Sequence, residues 1–331
     1  MLSPLALTAD VELKSTKDGY GDALVELGDI DKNVFLASSD VVMSTGSGAF
    51  SQKYPDRYFE MGVSEQNMAA FGAGLASTGK TVFISAYSAF SPYRNFDQIR
   101  TQIAYSNLNV KIVGTHSGFS DGGDGATHQA LEDIALMKSL PNINVFTPSD
   151  YWEAKKSTLL AASIKGPCYI RLYRVATPVF TTKDTHFRHD DFCEYASGDD
   201  AVIFSYGPVS YECLKASKYL KEKGFGLSVV GIHSTAHLTF QELEKHVHNK
   251  KHVFIAEEHQ INGGIGSDIA RILSEYGNYK VKVIAVDKQF GESASYYELL
   301  TKHGLDEGGI IKKVLSFVGV ASIMGNKSST K

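Results

Sequence analysis

Short apolar runs of strand length alternate with segments of helical spacing along most of the chain, and that alternation restricts the fold to layered α/β with parallel sheets. The strand-like runs cover residues 33–40, 81–87, 109–115, 142–147 and 167–172, and helical spacing covers 64–78, 92–105, 128–139 and 150–162. The runs are apolar throughout, as a strand covered by helices on both faces requires. From Val175 the pattern lapses into polar sequence. It resumes with runs at 201–206, 227–232, 253–257 and 281–286, and with helical segments at 209–223 and after Gly266. Two doubly wound α/β domains with mainly parallel sheets are predicted, over 1–182 and 199–318, with a linker at 183–198 and a disordered tail at 319–331.

Composition narrows the function classes. Lysine plus arginine number 33 against 37 acidic residues, a net charge of −4, so the chain lacks the positive excess that nucleic-acid binding requires. No apolar run reaches the roughly 18 residues of a membrane span, and the N-terminus lacks a basic region leading into an apolar stretch. A soluble, cytoplasmic protein is expected. Cys168, Cys193 and Cys213 are widely spaced, with no pattern of a disulfide framework or thiolate zinc site.

Ligands of open parallel sheets sit beyond the carboxyl ends of the strands, so the loops there are the places to search. Three are unusual. In Gly62-Val-Ser-Glu65-Gln-Asn-Met68 a carboxylate enters the first turn of a helix that then becomes apolar and small. Glu65 either serves the helix dipole or holds a specific partner. In Tyr87-Ser-Ala-Phe90-Ser-Pro-Tyr93-Arg-Asn-Phe96 four aromatics recur every three residues, as core or as a stacking platform for a flat heteroaromatic cofactor. The third, residues 115–129, is a glycine-rich loop carrying His116, Asp124 and His128, where imidazoles can bind sugar hydroxyls or move protons. Two histidines twelve apart with one carboxylate have no strong metal-ligand spacing.

In this order the three segments resemble the C-terminal half of the transketolase family of thiamine-diphosphate enzymes. The resemblance implies that Glu65 binds the cofactor aminopyrimidine, that Tyr87 and Phe90 pack on that ring, and that Asp40 lies beside the thiazolium. It further implies that Asp124 holds the donor C2 hydroxyl, His116 the C1 hydroxyl region, and His128 the reacting carbonyl or its covalent adduct. Lys17, Ser44 and Arg171 stand where the family binds substrate phosphate. Lys17 replaces the usual arginine, keeping the charge but losing the bidentate fork. In the second domain, Glu257-Glu-His-Gln-Ile-Asn-Gly-Gly-Ile-Gly266 and Phe290-Gly-Glu-Ser resemble the family's C-terminal domain.

The family's Gly-Asp-Gly motif for diphosphate and metal lies in an N-terminal domain outside the resemblance. Gly123-Asp124-Gly125 is a decoy, because Asn142 comes too soon and Asp124 already matches the sugar position. The resemblance therefore implies one subunit of a split transketolase, which needs a partner for thiamine diphosphate and Mg2+ and is expected to form a heterotetramer. The beta subunit of a 2-oxoacid dehydrogenase is a rival reading, although it does not need His116, Asp124 and His128 together. A split deoxyxylulose-phosphate-synthase-like enzyme is another, which Arg94 beside Tyr87 and Phe90 also suits. A non-catalytic subunit is a third.

Overall fold

The structure, a computed structural model, describes residues 2–319. Its strands in chain order are β1 Leu13–Lys14, β2 Val34–Ser38, β3 Tyr58–Glu60, β4 Thr81–Tyr87, β5 Val110–Thr115, β6 Asn144–Phe146, β7 Cys168–Arg171, β8 Thr177–Pro178, β9 Cys193–Ala196, β10 Ala201–Ser205, β11 Leu227–Gly231, β12 His252–Gln260 and β13 Lys280–Val286. Six of them form a parallel sheet in the order β3-β2-β4-β5-β7-β6. Five form a second sheet, β13-β12-β10-β11-β9, parallel except for the antiparallel edge strand β9. The architecture is the mainly parallel α/β expected from the alternation.

Local sequence explains most boundaries. Ser15 and Asp18 close a reciprocal capping box on the helix Thr16–Ile30, and Asp150 caps the helix Tyr151–Ser163 by accepting from the Glu153 N–H. The helical segment expected at 128–139 begins only at Asp133. Residues 130 and 131 are drawn out instead, because the Ala130 carbonyl accepts from the Gly118 N–H at 2.9 Å and the Leu131 carbonyl from the Gln260 N–H at 2.7 Å. The segment expected at 92–105 is a short α turn, Phe96–Gln98, followed by a wider π-type stretch, Ile99–Ala104. β9 falls inside the span expected as linker: only Cys193 and Tyr195 turn inward, too short an alternation to stand out in polar sequence. The expected tail lies outside the described residues from position 320 onward.

The two sheets share a core. One apolar cluster runs from Met68, Ile84, Ile112 and Val145 to Val202, Phe204, Val230 and Ile255, all fully buried. The edge of the first sheet is also tied to the second domain, since the Thr147 N–H donates to the His233 carbonyl and the Thr235 N–H to the Val145 carbonyl, each at 3.0 Å. Among the described residues no helix is long and apolar enough to cross a membrane.

Candidate active site

The loops beyond the carboxyl ends of β2, β4 and β5, together with the start of the helix Glu65–Ala76, meet at one edge of the first sheet. Glu65 is 1% exposed. One carboxylate oxygen, Oε2, is held by Arg94 Nη1 at 2.6 Å, and Oε1 has no protein donor among the described residues. The Arg94 guanidinium lies 4.8 Å above the Phe90 ring centre. Phe90 is stacked on Tyr87 at 5.9 Å and 19°, and His128 meets Phe90 edge-on at 5.2 Å. These contacts link a buried carboxylate, an aromatic edge and an imidazole into one continuous surface.

His116 completes that surface. Its ring stacks on Tyr87 with centres 3.8 Å apart, and the residue sits at φ +60°, just beyond the end of β5. Asp40, two residues after β2, sits at φ +61°. Left-handed backbone costs a non-glycine residue about 1–2 kcal/mol, so both turns are maintained by their surroundings. Thr115 Oγ1 donates to the Ala86 carbonyl at 3.3 Å, which leaves it to accept from His116 Nδ1 at 2.9 Å. Nε2 therefore presents a lone pair. Burial, with Lys17 and Arg174 adding to it, pushes His116 down to about 3. A neutral imidazole of such low basicity suits accepting a sugar hydroxyl hydrogen bond and not abstracting a proton.

The same shift has a consequence for stability. The unfolded chain binds a proton at this histidine as pH falls below about 6.5, whereas the folded chain does not until about 3, so stability is lost across that interval. His116→Asn is expected to flatten the acid-side fall of unfolding free energy relative to the unsubstituted chain, measured by denaturant unfolding between pH 7 and 4. Identical slopes would contradict the assigned environment.

The second domain fixes this loop from below. The Phe119 N–H donates to the Glu258 carboxylate, and Gln129 Nε2 donates to the Glu292 carbonyl at 2.9 Å. Gly118, at φ +61°, passes so close that a Cβ there would lie 2.1 Å from Glu258 Oε1, so only glycine fits.

The residues expected to bind phosphate divide. Lys17 reaches the cleft, its Nζ held by the Ser44 carbonyl at 3.0 Å. Ser44 gives its hydroxyl proton to the Val41 carbonyl at 3.0 Å and accepts from the Tyr87 hydroxyl at 2.8 Å. In this arrangement it organises Lys17 and Tyr87 and has no donor left for an anion. Asp40 is exposed, its backbone N–H held by Glu60 Oε1 at 2.7 Å. Arg171 is corrected outright: it is fully buried, and its guanidinium is consumed by Asp133 at 2.8 Å, the Tyr173 hydroxyl, and the carbonyls of Ala130 and Glu258 at 3.2 and 3.0 Å. It lies within β7 and packs inward. Arg174, three residues on and past the strand end, is half exposed and reaches Asp121 at 2.6 Å and Asp124 at 3.1 Å. Sequence reasoning passed over Arg174 and Asp121. The signal for Arg174 was its place in a loop that follows a strand.

Two matches to known families coincide with the two sheets. The transketolase pyrimidine-binding domain matches residues 13–179, and the transketolase C-terminal domain matches residues 194–310. The chain belongs to the transketolase family. A putative transketolase C-terminal section of Methanocaldococcus jannaschii is 37% identical over 305 residues, covering 91% of this chain and 96% of that protein. A subunit of the apulose-4-phosphate transketolase of Phocaeicola vulgatus is 31% identical over 303 residues, covering 91% and 97%. A solved structure of a split-gene transketolase, described as an inactive beta4 tetramer, superposes with a TM-score of 0.85 at 36% identity, covering 92% of this chain and 98% of that one.

Thiamine-diphosphate dependence is implied by the transketolase family, and the residues present fit its pyrimidine ring. The fit rests on Glu65, whose buried carboxylate keeps one oxygen without a protein donor beside the partly exposed Phe90 and Tyr87. No cluster of three or more His, Cys, Asp or Glu side chains among the described residues is arranged to hold a metal ion.

Proposed function

We propose that this transketolase chain is the C-terminal-half subunit of a split enzyme that moves a two-carbon ketol unit from a ketose to an aldose. A partner chain supplies the diphosphate and Mg2+ site, in a heterotetramer with two composite sites. The observation that carries this reading is the contact chain that joins Glu65, Arg94, Phe90, Tyr87, His116 and His128 beyond the carboxyl ends of the first sheet. Support for the split comes from relatives of nearly the same length that are named as a C-terminal section or a subunit.

Bound thiamine diphosphate would supply the nucleophilic carbon that carries the two-carbon unit. In this chain Glu65 would hold the protonated pyrimidine N1′, with Arg94 fixing the carboxylate, and Phe90 and Tyr87 would pack on the ring. Asp40 would lie beside the thiazolium. His116 accepts the donor C1 hydroxyl through Nε2, Asp124 reads the C2 hydroxyl, and His128 exchanges a proton with the reacting carbonyl oxygen. Lys17 and the unpaired edge of Arg174 meet the far end of the sugar, including a terminal phosphate of the kind in the name of the Phocaeicola relative.

Mixing experiments test the division between chains. This chain with cofactor and Mg2+ is expected to give no ketol transfer, and adding an N-terminal-half transketolase chain is expected to restore it. Transfer by the purified chain alone would refute the split reading.

A further inference from the structure

The roles above leave Asp121 without a use, yet its setting is unusual. It sits in the glycine-rich loop between His116 and Asp124, 2% exposed, with Oδ1 accepting from Arg174 Nη1 at 2.6 Å. Its Oδ2 is buried without an N–H donor, and the neighbouring group on that side of the loop is the Asp124 carboxyl. The Arg174 backbone N–H donates to Ser120 Oγ at 3.2 Å, so loop and arginine are fastened together at two points. Arg174 Nη1 also meets Asp124 Oδ2 at 3.1 Å, whereas Nε and Nη2 have no acceptor among the described residues. Burial, helped by the neighbouring Asp124 carboxyl and opposed by Arg174, raises the Asp121 carboxyl to about 6.

The charge count follows. The Arg174 guanidinium faces two carboxylates, Asp121 and Asp124, and Lys17 is the other cation placed toward the substrate's far end. A group arriving at the open Nε and Nη2 edge meets an arginine whose field is already largely cancelled from its buried side. A phosphate dianion loses more from this than a singly charged or neutral group does, because the repulsion from the two carboxylates scales with its charge.

We propose that Asp121 is a specificity-determining residue that acts through Arg174, lowering the positive charge offered to the substrate's far end and biasing the cleft toward sugars with an uncharged or singly negative terminus over terminal phosphate dianions. The proposal rests on the ketol-transfer reading for its substrate class. Asparagine at this position keeps an acceptor for Nη1 and removes the charge, so it isolates the electrostatic contribution.

The test compares a ketose donor with its terminal phosphate ester in the reconstituted two-chain complex at pH 7.5. Asp121→Asn is expected to raise the ratio of kcat/KM, phosphate ester over free ketose, at least tenfold, and to leave that ratio unmoved when Arg174→Ala is also present. A purely structural role would depress both donors together and leave the ratio alone. A ratio that stays the same or falls overturns the proposal, as does an equal shift in the Arg174→Ala background. A second measurement needs no turnover: inorganic phosphate binding to the full chain, followed by titration calorimetry, is expected to be at least tenfold tighter in Asp121→Asn. Equal or weaker binding overturns the proposal even where ketol transfer is detected, and tighter binding with no transfer from either donor would instead count against the functional reading.

Discussion

Glu65→Gln is expected to slow ketol transfer by about ten- to a hundredfold in the complete complex while leaving folding and assembly intact. The side chain is buried at a helix start, with Oε2 on Arg94 and Oε1 free to meet the cofactor ring. Glutamine keeps the size and one acceptor but removes the negative charge that favours a protonated N1′. A hydrogen bond to a charged group contributes about 1.5–3 kcal/mol, and each 1.36 kcal/mol lost from transition-state stabilisation is tenfold in rate. The fold should tolerate the change, because the Arg94 side chain is 47% exposed and its released guanidinium can be solvated. Hydrogen–deuterium exchange at C2 of the bound cofactor reads the effect directly, after equal cofactor binding has been shown. Exchange at the unsubstituted rate would return Glu65 to the lesser role of a carboxylate favoured by the helix dipole.

Arg171→Ala should act on stability and not on substrate choice. The Arg171 and Asp133 side chains are both fully buried, so deleting the arginine leaves Asp133 with the Tyr169 hydroxyl at 2.7 Å and no opposite charge in contact. It also removes the Arg171 bonds to the Ala130 and Glu258 carbonyls, and with the second of them a tie between β7 and β12 across the two domains. Breaking a buried pair on one side costs about 3–5 kcal/mol, a large share of what a domain possesses. Denaturant unfolding should show that loss, with KM changing alike for phosphorylated and unphosphorylated sugars. Near-normal stability with a selective rise in KM for phosphate esters would restore Arg171 as a phosphate anchor.

The contrast between Arg171 and Arg174 shows where sequence reading stops. Both belong to one six-residue stretch, Tyr169-Ile-Arg171-Leu-Tyr-Arg174, and both carry the same charge. What separates them is that β7 ends at Arg171, so one guanidinium is enclosed between the sheets while the other emerges in a loop. Ser44 makes the same point: its type suits an anion donor, but its hydroxyl proton is already committed to the Val41 carbonyl. The short edge strand β9 escaped notice because two inward residues make too little pattern to register.

The sequence by itself determined the α/β layering, five of the six strands of the first sheet (the three-residue edge strand β3 left no readable run), and the three loops that carry Glu65, the aromatic pair and the two histidines. Those are properties of spacing and local polarity, which a linear chain displays. Only the tertiary structure decided which groups are charged, paired or open. Glu65 meets Arg94, His116 loses its basicity under Tyr87, and Arg174 is tempered by Asp121. Each outcome depends on burial and on a partner brought near by folding, and the desolvation and Coulomb energies that govern them exist only once the chain has enclosed its own low-dielectric interior.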